Sequence, residues 1–413
     1  MALAVDTTAL RESADLRRLE AGTFLTGLGT QAALVALPYQ LYVETHSAFL
    51  VGLLGAVELV PLVTSALLGG ALADRMDRRR LLLLVQVALI LAASGLAGAT
   101  LLGSPPVWLL YVLGGGLAGA GAVENVAASA IVPGLVPPEL LRSALALNFG
   151  LYQLTMVIGP ALGGLLIGAL GLGAAYVVDA VSCLAMTAAL VRMSPRPPAP
   201  GGAARHEPIG RSIAAGLRFV RSEPALMGSF AIDLLAMAFG MPRALFAVLS
   251  LTVYHAGAAG TGLLYAAVAA GATVAALTTG WLAHARRLGR IVIVAVVTWG
   301  LAIAATGLTT SLWVAVALLA LAGAADSVSA VCRSTINQSV TPEALRGRMS
   351  SVFSVVVTSG PRLGDVEAGT VASLAGPRVS VASGGLACVA GVALVMLAFP
   401  ALAAYDGDAA AGP

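Results

Sequence analysis

The sequence predicts an all-α membrane protein with twelve transmembrane helices in two pseudo-symmetric six-helix halves. Three observations predict it: a very apolar composition, twelve long apolar runs, and an internal repeat. Of the 413 residues, 59% are hydrophobic and the mean hydropathy is +0.94, whereas soluble domains contain roughly 45 to 50% apolar residues. We therefore expect a lipid bilayer around most of the chain, and no nucleic-acid partner.

Each apolar run is long enough to cross the bilayer as a helix, which takes about 20 residues for about 30 Å of hydrocarbon. The runs begin near Leu19, Phe49, Leu81, Val107, Ala144, Leu172, Ala225, Gly260, Ile291, Leu312, Ser350 and Val379. Helices are predicted because backbone groups in lipid must be satisfied within the segment, and because the runs lack the alternation of a barrel strand. The N-terminal segment has no features of a cleaved signal peptide, so the first helix is expected to serve as the insertion signal.

The arginines predict the topology. All 23 basic residues are Arg. Twenty of them lie in the N-terminal segment or at even-numbered connectors, counting Arg333 just before the tenth, while Arg378 alone lies in an odd-numbered one. The other two, Arg243 and Arg362, lie inside apolar runs. By the positive-inside rule, both termini are predicted to be cytoplasmic, with the protein in the cell inner membrane.

The sixth connector divides the chain. It reads "RMSPRPPAPGGAARHEPIGRS" and is rich in Pro and Gly. The stretch "IGRSIAAGLRFVRSE" predicts an amphipathic helix on the inner membrane surface, with a plain linker as the alternative. The predicted boundaries are a cytoplasmic N-terminal segment 1–18, an N-terminal half 19–192, a cytoplasmic central loop 193–224, a C-terminal half 225–400 and a cytoplasmic tail 401–413.

The two halves repeat three short motifs in the same order. "GALADRMDRRR" at Gly70 matches "GWLAHARRLGR" at Gly280, 210 residues later, and "PELLR" at position 138 matches "PEALR" at position 342, 204 residues later. "GPALGG" at Gly159 matches "GPRLGD" at Gly360, 201 residues later. Duplicated six-helix halves are typical of transporters whose substrate site lies between the halves near the bilayer midplane.

The connector between the second and third spans resembles the signature of the major facilitator superfamily. The matching residues are Gly70, Leu72, Ala73, Asp74, Arg75, Arg78, Arg79 and Leu82. In that family the acid and arginines form a cytoplasmic latch that holds the two halves together in the outward-facing state. The resemblance therefore implies a gate at Gly70, Asp74, Arg75, Arg78 and Arg79. Asp77 stands where the family usually has glycine, and a basic loop that only sets topology is the alternative.

The segment "GPALGG" in span five resembles the antiporter motif of the superfamily's exporters. Its residues are Gly159, Pro160, Gly163 and Gly164, while Thr155 stands where another glycine is usual. Ordinary close helix packing is the alternative explanation. Over nearly the whole chain, segments such as "THSAFLVGL", "GMPRALF" and "TPEALRGRMSSV" resemble the branch that contains the enterobactin exporter and macrolide efflux proteins.

Four charged residues lie deep within predicted spans, where a charge costs at least ~2.5 kcal/mol and is retained for a reason. They are Glu58, Arg243, Arg362 and Asp365. Arg362 and Asp365 are three residues apart on one helical face, so they form either a structural pair or a working one. Arg243 is predicted to attract an anionic substrate or to pair with Glu58.

Four further acids lie nearer one membrane face and are candidates for carrying a proton. They are Glu124, Asp179, Asp233 and Asp326. Glu124 and Asp326 occupy corresponding parts of spans four and ten, so a duplicated pair near the inner mouth is expected. Span four lacks the arginine that many proton-coupled exporters of the superfamily have.

The sequence and the resemblance together imply a secondary active transporter. It is expected to export a small amphiphilic compound, siderophore-like or antibiotic-like, by alternating access and proton antiport. No catalytic pair, metal cluster or nucleotide loop occurs in the sequence, so we expect no enzyme and no cofactor, with the proton gradient as energy source, and a monomer. The alternatives are an importer of a small nutrient and a non-transporting membrane sensor on the same fold.

Overall fold

The structure, a computed structural model, describes residues 8–73, 75–195, 217–342 and 345–405. All regular elements in this part of the chain are α-helices or short 3₁₀ turns. The gate residue Asp74 and most of the predicted amphipathic helix lie outside the described residues. Of that stretch only 217–223 is described, and 217–222 is helical.

The first six predicted spans are each one helix, preceded by a short helix. Their bounds are α1 Thr8–Glu12, α2 Ala14–Thr45, α3 Ala48–Ala73, α4 Arg78–Leu102, α5 Val107–Ile131, α6 Leu141–Leu170 and α7 Leu172–Val191. Helix α2 begins at Ala14, ahead of the predicted start at Leu19, because the Ser13 side chain accepts the Leu16 N–H at 3.1 Å and caps the helix. The predicted N-terminal segment 1–18 is thus partly helical.

The later spans follow the prediction except for the seventh, which is broken. The helices are α8 Pro224–Phe239, α9 Leu245–Thr252, α10 Gly257–Thr278, α11 Leu288–Leu308, α12 Leu312–Val340, α13 Arg346–Ala375, α14 Pro377–Ala398 and α15 Pro400–Ala404. Span seven consists of α8 and α9, with the non-helical stretch 240–244 between them. The short helix α15 occupies the start of the predicted tail 401–413.

Nine helices within the described residues are long and apolar enough to cross a membrane. The other three predicted spans are the broken seventh, together with α2 and α13, which hold buried polar groups such as Gln31, Gln40 and Asp365. A helix that carries polar side chains has a lower mean hydropathy even when those groups face protein. The chain is therefore a multi-pass all-α membrane protein with twelve membrane segments.

The chain folds into two compact units. Unit 1 comprises 1–46, 57–204 and 256–266, and unit 2 comprises 47–56, 205–255 and 267–413. The beginning of α10 thus belongs to unit 1 and its remainder to unit 2, whereas the beginning of α3 belongs to unit 2 and its remainder to unit 1. In unit 1, α2 and α4 pack against α7, α2 packs on α6, and α4 on α5. In unit 2, α11 packs against α12 and α14, while α8 packs against α13 and α14.

The repeated Gly-Pro motifs make equivalent contacts in the two units. In unit 1, Cβ atoms added at Gly159 and Gly163 of α6 would lie 2.6 Å from the Cβ of Gln31 and 2.7 Å from the Cα of Ala32, both on α2. Glycine is required there because α6 approaches α2 too closely for a side chain. The predicted antiporter-like segment therefore packs α6 onto α2.

In unit 2, the equivalent glycines of α13 face α8 in the same way. Cβ atoms added at Gly360 and Gly364 would lie 2.8 Å from the Cβ of Met237 and 2.6 Å from its carbonyl oxygen. The equivalence of α6 on α2 with α13 on α8 agrees with the duplication that the sequence predicts. The halves differ one residue further on, where Gly164 in α6 corresponds to Asp365 in α13.

Candidate functional site

A row of buried polar side chains joins α8 to α12 in unit 2. The Arg333 guanidinium forms a short ion pair with the carboxylate of Asp233, and both side chains are almost fully buried, 4% and 2% exposed. The same guanidinium lies 3.6 Å from Oδ1 of Asp326, whose side chain is 28% exposed. Asn337 lies one turn beyond Arg333 in α12, and its Oδ1 accepts a hydrogen bond from Ser229 Oγ of α8 at 3.2 Å. One cation is thus shared between two acids.

This cluster contains several polar atoms that have no hydrogen-bond partner in the described part of the chain. They are Asp233 Oδ2, Asp326 Oδ1, Ser329 Oγ and Arg333 Nε. Buried polar groups are nearly always paired in proteins, so four unpaired atoms in one place indicate a site that is completed by something else, such as a proton, a water or a ligand group.

The structure corrects the prediction for Arg333. Its position just before the tenth connector predicted a cytoplasmic arginine, yet Arg333 lies within α12 and is buried against Asp233. The sequence contained a signal for this pairing, because Asp326 and Arg333 are seven residues apart and share a helical face. The sequence did not show which helix faces α12, because Asp233 on that helix is 100 residues from Arg333.

The break in span seven is held by side chains of two neighbouring helices. The indole Nε1 of Trp299 in α11 donates to the carbonyl oxygen of Gly240 at 2.6 Å. Oδ1 of Asp365 in α13 accepts the N–H of Ala244 at 3.0 Å, just before α9 begins. Pro242 cannot donate a backbone hydrogen bond, which favours the break. Asp365 therefore satisfies a backbone group at the broken helix.

The predicted residues Arg243, Arg362 and Asp365 come together at this break. Arg243 lies in the break itself and is exposed, and Asp365 is buried. Both guanidinium groups are in electrostatic range of Asp365, and Arg243 is also in range of Asp326. These three residues and Asp326 therefore connect the break electrostatically to the α8–α12 row.

A small cavity lies between the break and this row. It contains about 260 Å³ of space not filled by atoms, part of which is open to the outside, and Asp326 is its one ionisable lining residue. The other lining residues are Gly240, Met241, Pro242, Phe246, Val268, Trp299, Ile303, Ala322 and Gly323. The break thus leaves room beside the one partly exposed acid of the row.

Unit 1 also buries acids, but with amide and hydroxyl partners. Gln86 Nε2 in α4 donates to Oε1 of Glu124 in α5 at 2.6 Å. Thr30 Oγ1 in α2 donates to Oδ1 of Asp179 in α7 at 3.4 Å. Asp179 is in electrostatic range of Glu124, so the two carboxyls face a common region. Both acids were predicted from the sequence, but their partners were not.

A third acid, Glu20 in α2, was missed by the sequence analysis. It is 2% exposed, and Asn148 Nδ2 in α6 lies 3.1 and 3.3 Å from its two carboxylate oxygens. Among the described residues, none of these three unit 1 acids pairs with an arginine. The buried acids of the two units therefore differ in their partners: Asp233 of unit 2 pairs with an arginine, whereas these three acids of unit 1 do not.

The remaining predicted site residues lie on α3 and after it. Glu58 is half-buried on α3 and Arg75 is exposed, while a Cβ at Gly70 would meet nothing within 4 Å. Arg78 Nη1 donates to the carbonyl oxygen of Ala130, at the end of α5, at 2.6 Å. A latch between the halves stays a prediction, because its acid Asp74 is outside the described residues.

Arg79 caps the end of α7. Its Nε donates to the Leu190 carbonyl oxygen at 2.6 Å and its Nη2 to the Val191 carbonyl oxygen at 2.8 Å. Cations stabilise helix C-termini because the last carbonyl groups have no partner in the helix and carry partial negative charge.

Arg79→Gln is expected to lower the free energy of unfolding by about 1 kcal/mol, because two charge-assisted hydrogen bonds are lost at a partly exposed position. The measurement is the thermal unfolding midpoint of the purified protein in detergent micelles. The control is Arg80→Gln, at the exposed neighbouring side chain. Equal unfolding midpoints for the two variants would contradict a capping role for Arg79.

Comparison with known proteins assigns the family. Residues 9–411 match the family model of the transmembrane secretion effectors, a group of the major facilitator superfamily. The chain belongs to this family. The enterobactin exporter EntS of Citrobacter koseri is 34% identical over 368 residues, which cover 88% of this chain and 86% of that protein. EntS of Escherichia coli is 32% identical over 369 residues, covering 88% and 86%.

Solved structures of other transporters share the fold. A bacterial homologue of the iron transporter ferroportin, crystallised in an inward-facing state, aligns with a TM-score of 0.67 and 19% identity, covering 95% of this chain and 99% of that one. A mutant of the nucleoside transporter NupG aligns with a TM-score of 0.76 and 12% identity, covering 94% and 99%. The predicted superfamily, branch and transporter fold are thus confirmed, and this family of transporters is not one of enzymes.

Proposed function

We propose that this transmembrane secretion effector exports a siderophore from the cytoplasm by alternating access, in exchange for protons. The observation that carries the proposal is the 34% identity with an enterobactin exporter through 88% of the chain. Identity at that level, spread over both halves, covers the helices that would line a substrate path as well as the connectors. The protein acts in the cell inner membrane with both termini in the cytoplasm, as the arginine distribution predicts.

The charged region of unit 2 supports a polar substrate. Arg243 is exposed in the break of span seven, and the ends of broken helices recur at the substrate sites of secondary transporters, because they present unpaired backbone groups. A guanidinium group binds anionic and phenolic oxygens through several donors. A siderophore, which gathers oxygen ligands for iron, matches this chemistry better than an uncharged nutrient does.

Buried acids support the proton gradient as the energy source. The proposal also includes no cofactor and a monomer as the working unit. A carboxyl inside the membrane is costly when ionised, so it binds a proton readily and releases it when its surroundings change. Both units contain such acids, including Asp179 and Asp233, each 2% exposed. Binding and release of a proton at one of them would couple its inward movement to substrate export.

The test is transport into inverted membrane vesicles that contain the full-length protein. With an imposed inside-acid gradient, we expect enterobactin to accumulate, and we expect its addition to drive protons out of the lumen, reported by a pH-sensitive dye. Vesicles that lack the protein provide the control, and macrolides and cationic dyes test the antibiotic-like alternative. Accumulation of a macrolide alone would replace the siderophore assignment, and accumulation without proton movement would remove the antiport.

Glu58→Gln is expected to abolish coupled export while the protein remains folded and inserted, because the amide removes a negative charge that is costly this deep in a span and is therefore retained for function. Transport in the same vesicles is the measurement, with the unfolding midpoint as the control for folding. Glu44→Gln, at the end of α2 outside the deep part of the spans, serves as the matched carboxyl-to-amide change. Wild-type transport by Glu58→Gln would exclude Glu58 from the mechanism.

A further inference from the structure

Gln86 and Glu124 form a polar pair in which one hydrogen-bonding atom is unused. Gln86 is fully buried, and its Nε2 donates to Glu124 Oε1 at 2.6 Å. Its other side-chain atom, Oε1, is buried and has no hydrogen-bond partner within the described chain. A buried acceptor without a donor is unfavourable, so this oxygen needs an explanation.

A protonated Glu124 supplies the missing donor. A carboxylic acid and a primary amide can form two hydrogen bonds in a ring: the amide N–H donates to one acid oxygen, and the acid O–H donates to the amide oxygen. The first of these bonds is already present in the Gln86–Glu124 pair. Protonation on Oε2 of Glu124 would close the second bond onto Gln86 Oε1. The same two residues therefore serve both protonation states.

The surroundings of Glu124 favour holding one proton. Helix α7 brings Asp179 into electrostatic range of Glu124, and Cys183 is in range of both. Helix α4 contributes the uncharged Gln86, which donates to Glu124, and α3 packs against α5 through Gly69 and Val123. No arginine among the described residues pairs with either acid. Two neighbouring acids without a cation cannot both be ionised at low cost in an apolar environment.

Access distinguishes the two acids. Asp179 is buried on α7 with 2% exposure, whereas Glu124 is only half-buried. A proton carrier must exchange with water at some stage of the transport cycle, and a carboxyl that keeps contact with the surface can do so. Glu124 is therefore the better placed of the two.

We propose that Glu124 is the carboxyl that binds and releases the coupling proton, with Gln86 as its positioning residue; this rests on the proton antiport of the proposed function. In the loading step, a proton from water joins Oε2 of the ionised carboxylate, and no other covalent bond changes. In the release step the same O–H bond breaks and the proton returns to water. Gln86 holds the carboxyl in both states.

The Glu20–Asn148 pair in the same unit is the matched comparison. It also joins a buried acid to a side-chain amide, but Asn148 Nδ2 lies near both oxygens of Glu20, at 3.1 and 3.3 Å. No atom of this pair is among the buried polar atoms of the described residues that lack a partner. The amide N–H groups here satisfy the ionised carboxylate. This pair therefore has no unused buried acceptor that an O–H of protonated Glu20 would satisfy.

The experiment is infrared difference spectroscopy of the full-length protein in lipid nanodiscs during a pH titration, without substrate. The wild type is expected to show a C=O stretching band of a protonated carboxyl that titrates, together with a shift of a side-chain amide band. Glu124→Gln is expected to remove the carboxyl band, and Glu20→Gln to retain it. A titrating band that persists unchanged in folded Glu124→Gln protein would overturn the proposal.

Three further variants keep the test independent of folding defects and separate a positioning role from a structural one. In Glu124→Asp the carboxyl band should move in frequency, and an unchanged band would contradict the assignment. Gln86→Leu should abolish the amide shift and move the carboxyl band, because the acid loses its acceptor, whereas Gln86→Asn should restore part of both signals. Unchanged spectra in Gln86→Leu would exclude Gln86 as the partner.

Vesicle transport then distinguishes failure of this inference from failure of the proposed function. If the wild type moves no enterobactin but the infrared assignments hold, the substrate proposal fails and the proton site stands. If the wild type exchanges enterobactin for protons and Glu124→Gln does so equally well, Glu124 is not the coupling carboxyl. Loss of proton-coupled export in Glu124→Gln, together with loss of its band, supports both.

Discussion

Arg333→Met is expected to lower the free energy of unfolding by about 3 to 5 kcal/mol, the typical cost of leaving a buried charge without its partner. The guanidinium compensates the buried carboxylate of Asp233 and lies 3.6 Å from Asp326. Methionine has a similar length but no charge, so both acids lose their cation while the packing volume is largely kept. The measurement is the unfolding transition of the purified protein in detergent micelles.

The double variant Asp233→Leu with Arg333→Met is expected to recover most of the lost stability, because replacing a whole buried ion pair by apolar side chains is often neutral. The residual deficit should come from Asp326, which stays partly exposed at 28%. The control is Arg18→Met, which removes an arginine that pairs with Asp15 near the surface and should cost at most about 1 kcal/mol. If the double variant is no more stable than Arg333→Met, the pair is not the source of the effect.

Gly323→Ala is expected to destabilise the protein by about 1 to 3 kcal/mol, the usual cost of overpacking. A Cβ at Gly323 of α12 would collide with the carbonyl oxygen of Val268 in α10, and one at Gly271 of α10 with that of Ala320 in α12. The colliding atoms are backbone, so a side-chain rotation cannot relieve the contact. Separation of α10 from α12 would also deform the cavity beside Asp326, which Val268 and Gly323 line.

The matched control is Gly121→Ala. Gly121 in α5 and Gly323 in α12 are 202 residues apart and occupy corresponding positions of the two halves, yet a Cβ at Gly121 would meet nothing within 4 Å. That substitution should be neutral, or stabilising by up to about 1 kcal/mol from helix propensity. Thermal unfolding midpoints of the two variants provide the measurement. Equal midpoints would show that the approach of α10 to α12 does not limit stability.

Most of the membrane segments could be predicted because apolar length is a local property. Each of spans two to six, for example α4 at Arg78–Leu102, is a largely apolar run, and crossing a bilayer requires little more. The break in span seven was not predicted from the same criterion, because the apolar residues on both sides of Gly240 to Ala244 outweigh the single charge of Arg243 in the average hydropathy of the run. Pro242 was the local signal that a backbone donor was missing there.

The candidate site was predictable residue by residue but not as an arrangement. An acid or arginine inside an apolar run is conspicuous, so Glu124, Arg243 and Asp365 were named from the sequence. Their partners are neutral or distant: Gln86 lies 38 residues from Glu124, and Ala244 lies 121 residues from Asp365 and contributes only a backbone N–H. No local pattern marks a glutamine or a backbone group as the partner of an acid on another helix.

The sequence by itself determined that this chain crosses a membrane many times, that its two halves are duplicated, and which acids and arginines lie inside the bilayer. These properties follow from composition, charge placement and spacing along the chain. Only the tertiary structure decided that Arg333 pairs with Asp233, that Asp365 satisfies the broken span, and that Gln86 keeps an unused oxygen beside Glu124. Pairing depends on which helix faces meet, and that is set by long-range packing, which hydropathy and periodicity do not encode.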